Sequence, residues 1–415
     1  MKKRNSIILG LATSFLLGCG GGGTSSTPVF DTKEKLGKNL FFDENLSLNR
    51  KTSCATCHDP DHAFVDARFL KPDVDQSIFM HGALSVGDDD VSLGGRNAPT
   101  ATYAKFSPDF AKNTKGVYVG GQFHDGRAAT LKDQAMGPPL DTAEMMMPNK
   151  QSVVERIEAN PEYVEAFKSL YGETIFDDIN GSYEAMGEAI AKFEKTDEFA
   201  PFDSKYDRFK QCRAAGDSTP TCFDKDHWTR EEKAGYTLFF SNNNTNCATC
   251  HSLNSKSEAH NKELFTNFEY ENIGTPRNIN AMDARMKLGL QEANATFEGL
   301  GGTVKETDTN WRAHLGKTKV PTLRNIAVTG PYMNNGVFKE LRTVIAFYDH
   351  MARKGHHTNP ETGKAWKDND HNETVNNKVL TKTKALTDDK MRSLEAFLRT
   401  LTDKRYEKLM PPLKP

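Results

Sequence analysis

The chain has no apolar stretch long enough to cross a bilayer as a helix. The candidate near its start, Ile7 to Leu17, is eleven residues, whereas a span needs about 20 at about 1.5 Å each. That excludes a polytopic membrane protein. An excess of positive charge is also missing: 54 Lys and Arg stand against 56 Asp and Glu, for a net charge of −2. A protein that grips nucleic acid by neutralising phosphates is expected to be basic, so that class drops away. The low apolar content of a disordered chain is absent too. Hydrophobic residues make up 37% and charged ones 27%, enough to build packed cores, and 415 residues suggest about two or three domains. Cysteine is scarce and odd in number, seven in all, and accounting for each one gives the strongest lead.

The start of the chain reads as an address. Lys2, Lys3 and Arg4 precede the short apolar run, which ends in Leu16-Leu17-Gly18-Cys19, the layout of a secretory signal. Those four residues resemble the lipobox of bacterial lipoproteins, in which Cys19 would carry lipid after cleavage in front of it. The alternative is an ordinary signal peptide with an incidental cysteine. Gly20 to Gly23 and the Thr-Ser-rich run to Pro28 suit a flexible tether. The expectation is an exported, periplasmic protein held by lipid to a bacterial membrane, the outer one by preference, in a compartment that permits disulfides.

Cys54-Ala55-Thr56-Cys57-His58 and Cys247-Ala248-Thr249-Cys250-His251 are both C-x-x-C-H. This is the attachment signature of c-type haem: two thioethers hold the porphyrin and the adjacent histidine ligates iron. A zinc reading would need both C-x-x-C pairs to converge on one ion. A disulfide-exchange reading would need a thioredoxin-like βαβ pattern, which is absent. The repeat extends upstream, where Gly37-Lys38-Asn39-Leu40-Phe41-Phe42 matches Gly235-Tyr236-Thr237-Leu238-Phe239-Phe240. Each run ends a helix opened by a capping box, Asp31 with Glu34 and Thr229 with Glu232. A second echo pairs Arg96-Asn97-Ala98-Pro99-Thr100 with Pro321-Thr322-Leu323-Arg324-Asn325. With one cysteine for lipid and four for haem, Cys212 and Cys222 remain, and an oxidising compartment favours a structural disulfide between them.

Further motifs lie between these landmarks: Gly120 to Ala129, with His124 and Arg127; Gln134-Ala135-Met136-Gly137-Pro138; Glu144-Met145; and Val320 to Ile326, followed by Gly330-Pro331-Tyr332. Together with the two haem sites they make residues 31 to 402 resemble the bacterial dihaem cytochrome c peroxidase/MauG family. The resemblance implies two unequal haems. The N-terminal one meets hydrogen peroxide, and the C-terminal one relays or stores electrons. It makes His58 and His251 the proximal iron ligands, Glu144 the acid/base group and Gln134 its polar partner; without it, Glu144 would read as a surface carboxylate. Cleaving peroxide needs such a proton-moving group opposite an open distal face. Arg127 and Arg324 are expected to bind haem, Arg324 through a propionate, and Arg127, Leu131 and Gln134 are expected on one helical face. Asn97, Thr329 and Pro331 match positions that hold Ca²⁺ in the family, a hard-oxygen set, or they are turn residues only.

Details point to the MauG-like branch. The blocking distal histidine of the peroxidases has no clear counterpart after His58; His62 and His81 are candidates by residue type, with His81 the one held in reserve. On the apolar helical stripe of Leu341, Val344, Ile345, Tyr348 and Met351, the family count places the distal ligand of the second haem at Tyr348, with Met351 one turn on as its competitor and simple core packing the plain alternative. Two departures stand out: His124 where the family has tryptophan, and Asn334 where it has histidine.

The expectation is an all-α protein of two cytochrome c-like lobes, each carrying one covalently bound c-type haem. Residues 1–18 are the signal, 19–30 the lipidated tether, 31–200 the peroxidatic lobe, 201–224 an inter-domain loop with the disulfide, and 225–415 the electron-transfer lobe. A last helix should start at a Thr387 cap. The activity expected is reduction of hydrogen peroxide with electrons from a small redox protein, a cytochrome c or a cupredoxin. MauG-like oxidation of a protein side chain is the alternative, and a non-enzymatic dihaem carrier the second. The membrane is met only through the lipid, no nucleic acid is involved, and family members are often homodimers.

Overall fold

A computed structural model describes residues 29–71, 82–253 and 262–414. Cys19 and His81 lie outside the described residues, as do residues 1–28, where the signal and most of the tether were expected. Among the described residues the chain is helix-rich, and its strands form two antiparallel two-stranded ribbons. No described helix is long and apolar enough to cross a membrane.

Two apolar clusters dominate. One draws on residues from Phe30 to Phe199 and the other on residues from Tyr206 to Leu401. Each is built on the same crossing. The helix Lys33–Phe42 packs on Ile179–Glu194, and Arg230–Phe239 packs on Asp388–Arg399. The glycine of each repeated motif makes the approach. A Cβ added at Gly37 would lie 1.8 Å from the Ala189 carbonyl oxygen, and one at Gly235 would lie 1.8 Å from that of Ser393. With the backbones this close, Leu36, Leu40 and Phe41 are sealed into the first cluster and Phe239 into the second.

Local signals explain most of the helix ends. Thr229 caps its helix with Glu232 in a reciprocal box, and Thr387 caps the last one, both as expected. The first helix differs: Thr32, not Asp31, accepts from the Lys35 amide, while Asp31 pairs with the Lys35 ammonium at 2.7 Å. Phe30, placed in the tether from sequence, is buried against Tyr163. The stretch 201–224 is not a loop. It holds two helices, Lys205–Ala214 and Thr219–Lys225, capped by Ser204 and Ser218, and Tyr206, Phe209 and Phe223 join the second cluster. Cys212 and Cys222 are disulfide-bonded between them.

The glycine crossings give a test whose sign is decisive. In an open helix, Gly→Ala stabilises by about 1 kcal/mol. Here Gly37→Ala and Gly235→Ala should each destabilise by about 2 kcal/mol through overpacking, read from the midpoint of denaturant unfolding. A gain at either position would show that its crossing is loose.

Candidate functional site

Each C-x-x-C-H motif forms one tight turn, helical at Cys54–Cys57 and 3₁₀ at Cys247–Thr249. The histidine that follows is oriented identically in both. His58 Nδ1 bonds the Phe64 carbonyl at 3.0 Å, and His251 Nδ1 bonds that of Phe265 at 3.1 Å. Donation from Nδ1 leaves Nε2 as the lone-pair nitrogen, the state an iron ligand requires. Burial pushes both imidazoles down, His251 to about 4, so they stay neutral.

Both phenylalanines are fully buried with left-handed backbone, φ 52° and 56°, a conformation non-glycine residues adopt at a cost. The second sequence echo supplies part of the support. Thr100 Oγ1 donates to the carbonyl of Ala63 at 2.5 Å, and Thr322 Oγ1 to that of Leu264 at 2.6 Å. Each Pro-Thr pair therefore pins the residue just before the phenylalanine that orients a histidine. Phe64 and Phe265 were missed from sequence, because their separations from the histidines differ, six residues against fourteen.

Cys54, Cys57 and His58 line a cavity of about 350 Å³. Gln134 and Glu144 line it as well, so the structure brings the sequence-predicted acid/base pair to the N-terminal haem motif. Loss of solvation raises the Glu144 carboxyl to about 7, with Asp141 adding to the rise and Arg127 opposing it. His124 is a further wall residue. Its Nε2 bonds the Asn97 carbonyl at 2.9 Å, and burial lowers it to about 4, so it is neutral. Sequence reasoning missed Glu194, which is 5% exposed, lines the same cavity and has Oε2 without a partner. Desolvation raises it to about 8. Its only signal in the sequence was a carboxylate on the apolar side of a helix.

At the second motif, Tyr348 lies on the helix Leu341–Met351. Burial raises its phenol, and the Cys250 and Cys247 sulfurs beside it add to the rise. Met351 instead packs on Gly274, whose added Cβ would lie 2.6 Å from the Met351 methyl carbon.

Two placements differ from expectation. Arg127 lies outside the helix Leu131–Ala135, which begins after the Thr130 cap, and pairs with Asp125 at 2.9 Å. Arg324 is fully buried and bonds both Asp207 oxygens, at 2.6 and 2.8 Å, with Ser204 and the Glu263 carbonyl beside them. Its charge is thus balanced by a carboxylate of the chain, and its geometry serves the core rather than a propionate. Asn97 joins the segment after Pro331 through its amide, which donates to the Asn334 carbonyl at 3.0 Å. Its side-chain nitrogen donates to the Gly82 carbonyl.

The zinc alternative lacks its geometry. Among the described residues, the one cluster of three close His, Cys or carboxylate ligands is Cys212, Asp217 and Cys222, two of them tied in the disulfide. Two half-buried free thiols, an oriented neutral histidine and an adjoining cavity fit a covalently held haem at the first motif. The second repeats the thiols and the histidine.

Comparison with known proteins agrees. A family profile described as di-haem cytochrome c peroxidase matches residues 31–215. The chain is 40% identical over 399 residues to the methylamine utilization protein MauG of Paracoccus denitrificans, covering 96% of this chain and 95% of that one. The chain belongs to the dihaem cytochrome c peroxidase/MauG family. It is 30% identical to the cytochrome c peroxidase Ccp of Escherichia coli over 309 residues, 74% of this chain and 51% of that one. The crystal structure of the diheme peroxidase BthA from Burkholderia thailandensis superposes with a TM-score of 0.73 at 30% identity, covering 91% of this chain and 88% of that one. Membership makes the chain an oxidoreductase of the peroxidase type and implies c-type haems.

Proposed function

We propose that this protein is an exported dihaem peroxidase that reduces hydrogen peroxide at the His58 haem, with electrons relayed through the His251 haem. The observation that carries this reading is Glu144 in the cavity bounded by Cys54, Cys57 and His58. Haem bound there supplies the iron centre that accepts peroxide and exchanges electrons with it. The chain's own residues handle protons. A carboxylate oxygen of Glu144 takes the proton from one peroxide oxygen and returns it to the other as the O–O bond breaks. The Gln134 amide orients the substrate beside it. Two electrons and two protons convert each peroxide to two waters, and a small redox protein, a cytochrome c or a cupredoxin, is the donor. His124, neutral and bonded to Asn97, cannot compete for the transferred proton near pH 7.

A run of contacts supports the relay. The His124 carbonyl accepts from the Lys319 amide at 2.8 Å. The next residue, Val320, accepts from Thr266 Oγ1 at 2.6 Å, and Thr266 follows Phe265, whose carbonyl orients His251.

The MauG-like reading, in which a protein side chain is the electron source, has two observations in its favour. One is the identity with MauG over nearly the full chain. The other is Tyr348 beside the Cys247 and Cys250 sulfurs, with Met351 turned onto Gly274. A phenolate on the second iron would stabilise its oxidised states, where a thioether would favour the ferrous one. The candidate His62 does not line the first cavity; its Nδ1 bonds Asp59 at 2.8 Å. We further assign Ca²⁺ to Asn97, Thr329 and Pro331, the lipid anchor to Cys19, and the lobes to the two core clusters, with the helices of residues 205–225 in the second; a homodimer is the expected assembly.

Glu144→Gln should slow the reaction with peroxide by about 10²- to 10⁴-fold in stopped-flow mixing. In the native protein, Glu144 is protonated below about pH 7 and cannot accept a proton. The rate should therefore rise through that pH and level off above it, a dependence absent from the variant; unchanged reactivity would remove Glu144 from the role. Tyr348→Phe should alter the low-spin spectrum of the C-terminal haem, and an identical spectrum would exclude the phenolate. Chelating calcium should perturb the haem spectra, and a protein indifferent to chelator would lose the calcium assignment.

A further inference from the structure

A second cavity, of about 730 Å³, adjoins the first, and the two share Arg96, Arg127 and Arg285 in their walls. Arg277 also lines the larger one. Two of these four arginines have carboxylate partners: Arg127 pairs with Asp125 at 2.9 Å and Arg277 with Asp370 at 2.6 Å. Among the described residues the other two have none. Arg96 donates to the Gly95 carbonyl at 2.6 Å and stacks on Phe297 at 4.2 Å. Arg285 donates to the carbonyls of Leu93 and Leu290. Carbonyl dipoles orient a guanidinium without pairing its charge: Asp370 and Asp125 act on Arg96, and Asp141 on Arg285, but no ion pair forms among the described residues. In both residues Nε is buried with no hydrogen-bond partner.

Two unpaired cations this close repel, and each disfavours the other's charge. Arg96 is held down to about 10, mainly by desolvation, with Arg285 and Arg127 adding to the fall and Asp370 and Asp125 opposing it. Burying a guanidinium without a counter-charge is costly. The arrangement therefore calls for anions where the two cavities meet, and a c-type haem carries two carboxylates on the edge that faces outward. Two propionates match two unpaired arginines.

We propose that Arg96 and Arg285 bind the two propionates of the N-terminal haem, an inference that rests on the haem at Cys54–His58. The pair comes from opposite halves of the chain. Arg96 belongs to the segment after the first haem motif, and Arg285 to the helix Ile279–Lys287, after the second. The N-terminal haem then ties the two halves together, and Arg285 makes the electrostatics of the peroxide site depend on the C-terminal half.

The test uses the holoprotein with Arg96→Gln, Arg285→Gln and the charge-retaining Arg96→Lys and Arg285→Lys. Pyridine haemochrome should count two haems per chain throughout, because the thioethers do not involve the arginines. If the native protein carries none on Cys54 and Cys57, the haem reading fails and this proposal falls with it. With both haems in place, each Gln variant should lower the midpoint potential of the N-terminal haem, since a nearby cation favours the less positive ferrous porphyrin. Each should also raise the pH at which that potential responds to propionate protonation. The Lys variants should show the same shifts, smaller, and they decide the matter if a Gln variant does not fold. Unchanged potentials and pH profiles would overturn the assignment. A free carboxylate is the other source of the same chemistry. If acetate perturbs the native N-terminal haem spectrum, the effect vanishes in the Gln variants and the potentials stay the same, the arginines serve a soluble anion and the propionate assignment is wrong.

Discussion

Close approach of two helix backbones, made once at Gly37 and again at Gly235, is the constraint from which the rest of the structure follows. At each crossing the added Cβ would fall 1.8 Å from a carbonyl oxygen, so no other residue fits without moving a helix. The crossing aims Leu40 and Phe41 of the first helix into the core, and the C-x-x-C-H turn follows after a short loop. The proximal histidine then depends on a backbone carbonyl rather than on a side chain, so its direction is fixed by the path of the main chain. The Pro-Thr pairs help hold that path where the backbone is strained at Phe64 and Phe265.

The same scaffold carries two different environments. Around His58 the wall includes Glu144, Glu194 and His124, groups that hold or pass protons and whose ionisation is suppressed by poor solvation, with the Gln134 amide beside them. Around His251 the neighbourhood is aromatic, with Phe239, Phe240, Phe265 and Phe397 in mutual ring contact. Proton-moving groups suit the peroxide-cleaving role proposed for the first haem, and an aromatic neighbourhood suits the electron-relaying role proposed for the second. On that reading, unequal roles arise from side chains placed on a duplicated backbone plan.

Charge is treated differently in the two kinds of wall. Arg324 is buried deeply, yet both Asp207 oxygens balance it. Arg96 and Arg285 have no ion-pair partner among the described residues, and the Nε of each is left without a hydrogen bond. A buried, fully paired arginine is an element of the core, whereas a half-buried one without an ion pair, facing a cavity, suits an anion. That distinction moves the anchoring role away from Arg324.

Signals that act within a few residues were legible in the sequence. The haem turns, the Thr229 and Thr387 caps, the helix carrying Tyr348 and the Cys212–Cys222 disulfide all depend on neighbours no more than about a dozen positions away. Errors arose where local chemistry is ambiguous or where the partner is remote. Thr32 competes with Asp31 for the same cap. Ser218 and Pro220 look like a loop but equally open a helix, as a cap followed by proline in its first turn. Arg324 could not be placed from sequence because its partner lies 117 positions away. By itself, then, the sequence located two haem-attachment motifs and the repeated helical frame that carries them, because the attachment signature and helix capping are local. Only the tertiary structure decided which carboxylates lose their solvent, which histidines stay neutral and which arginines lack a counter-charge, because those properties depend on distance through space rather than along the chain.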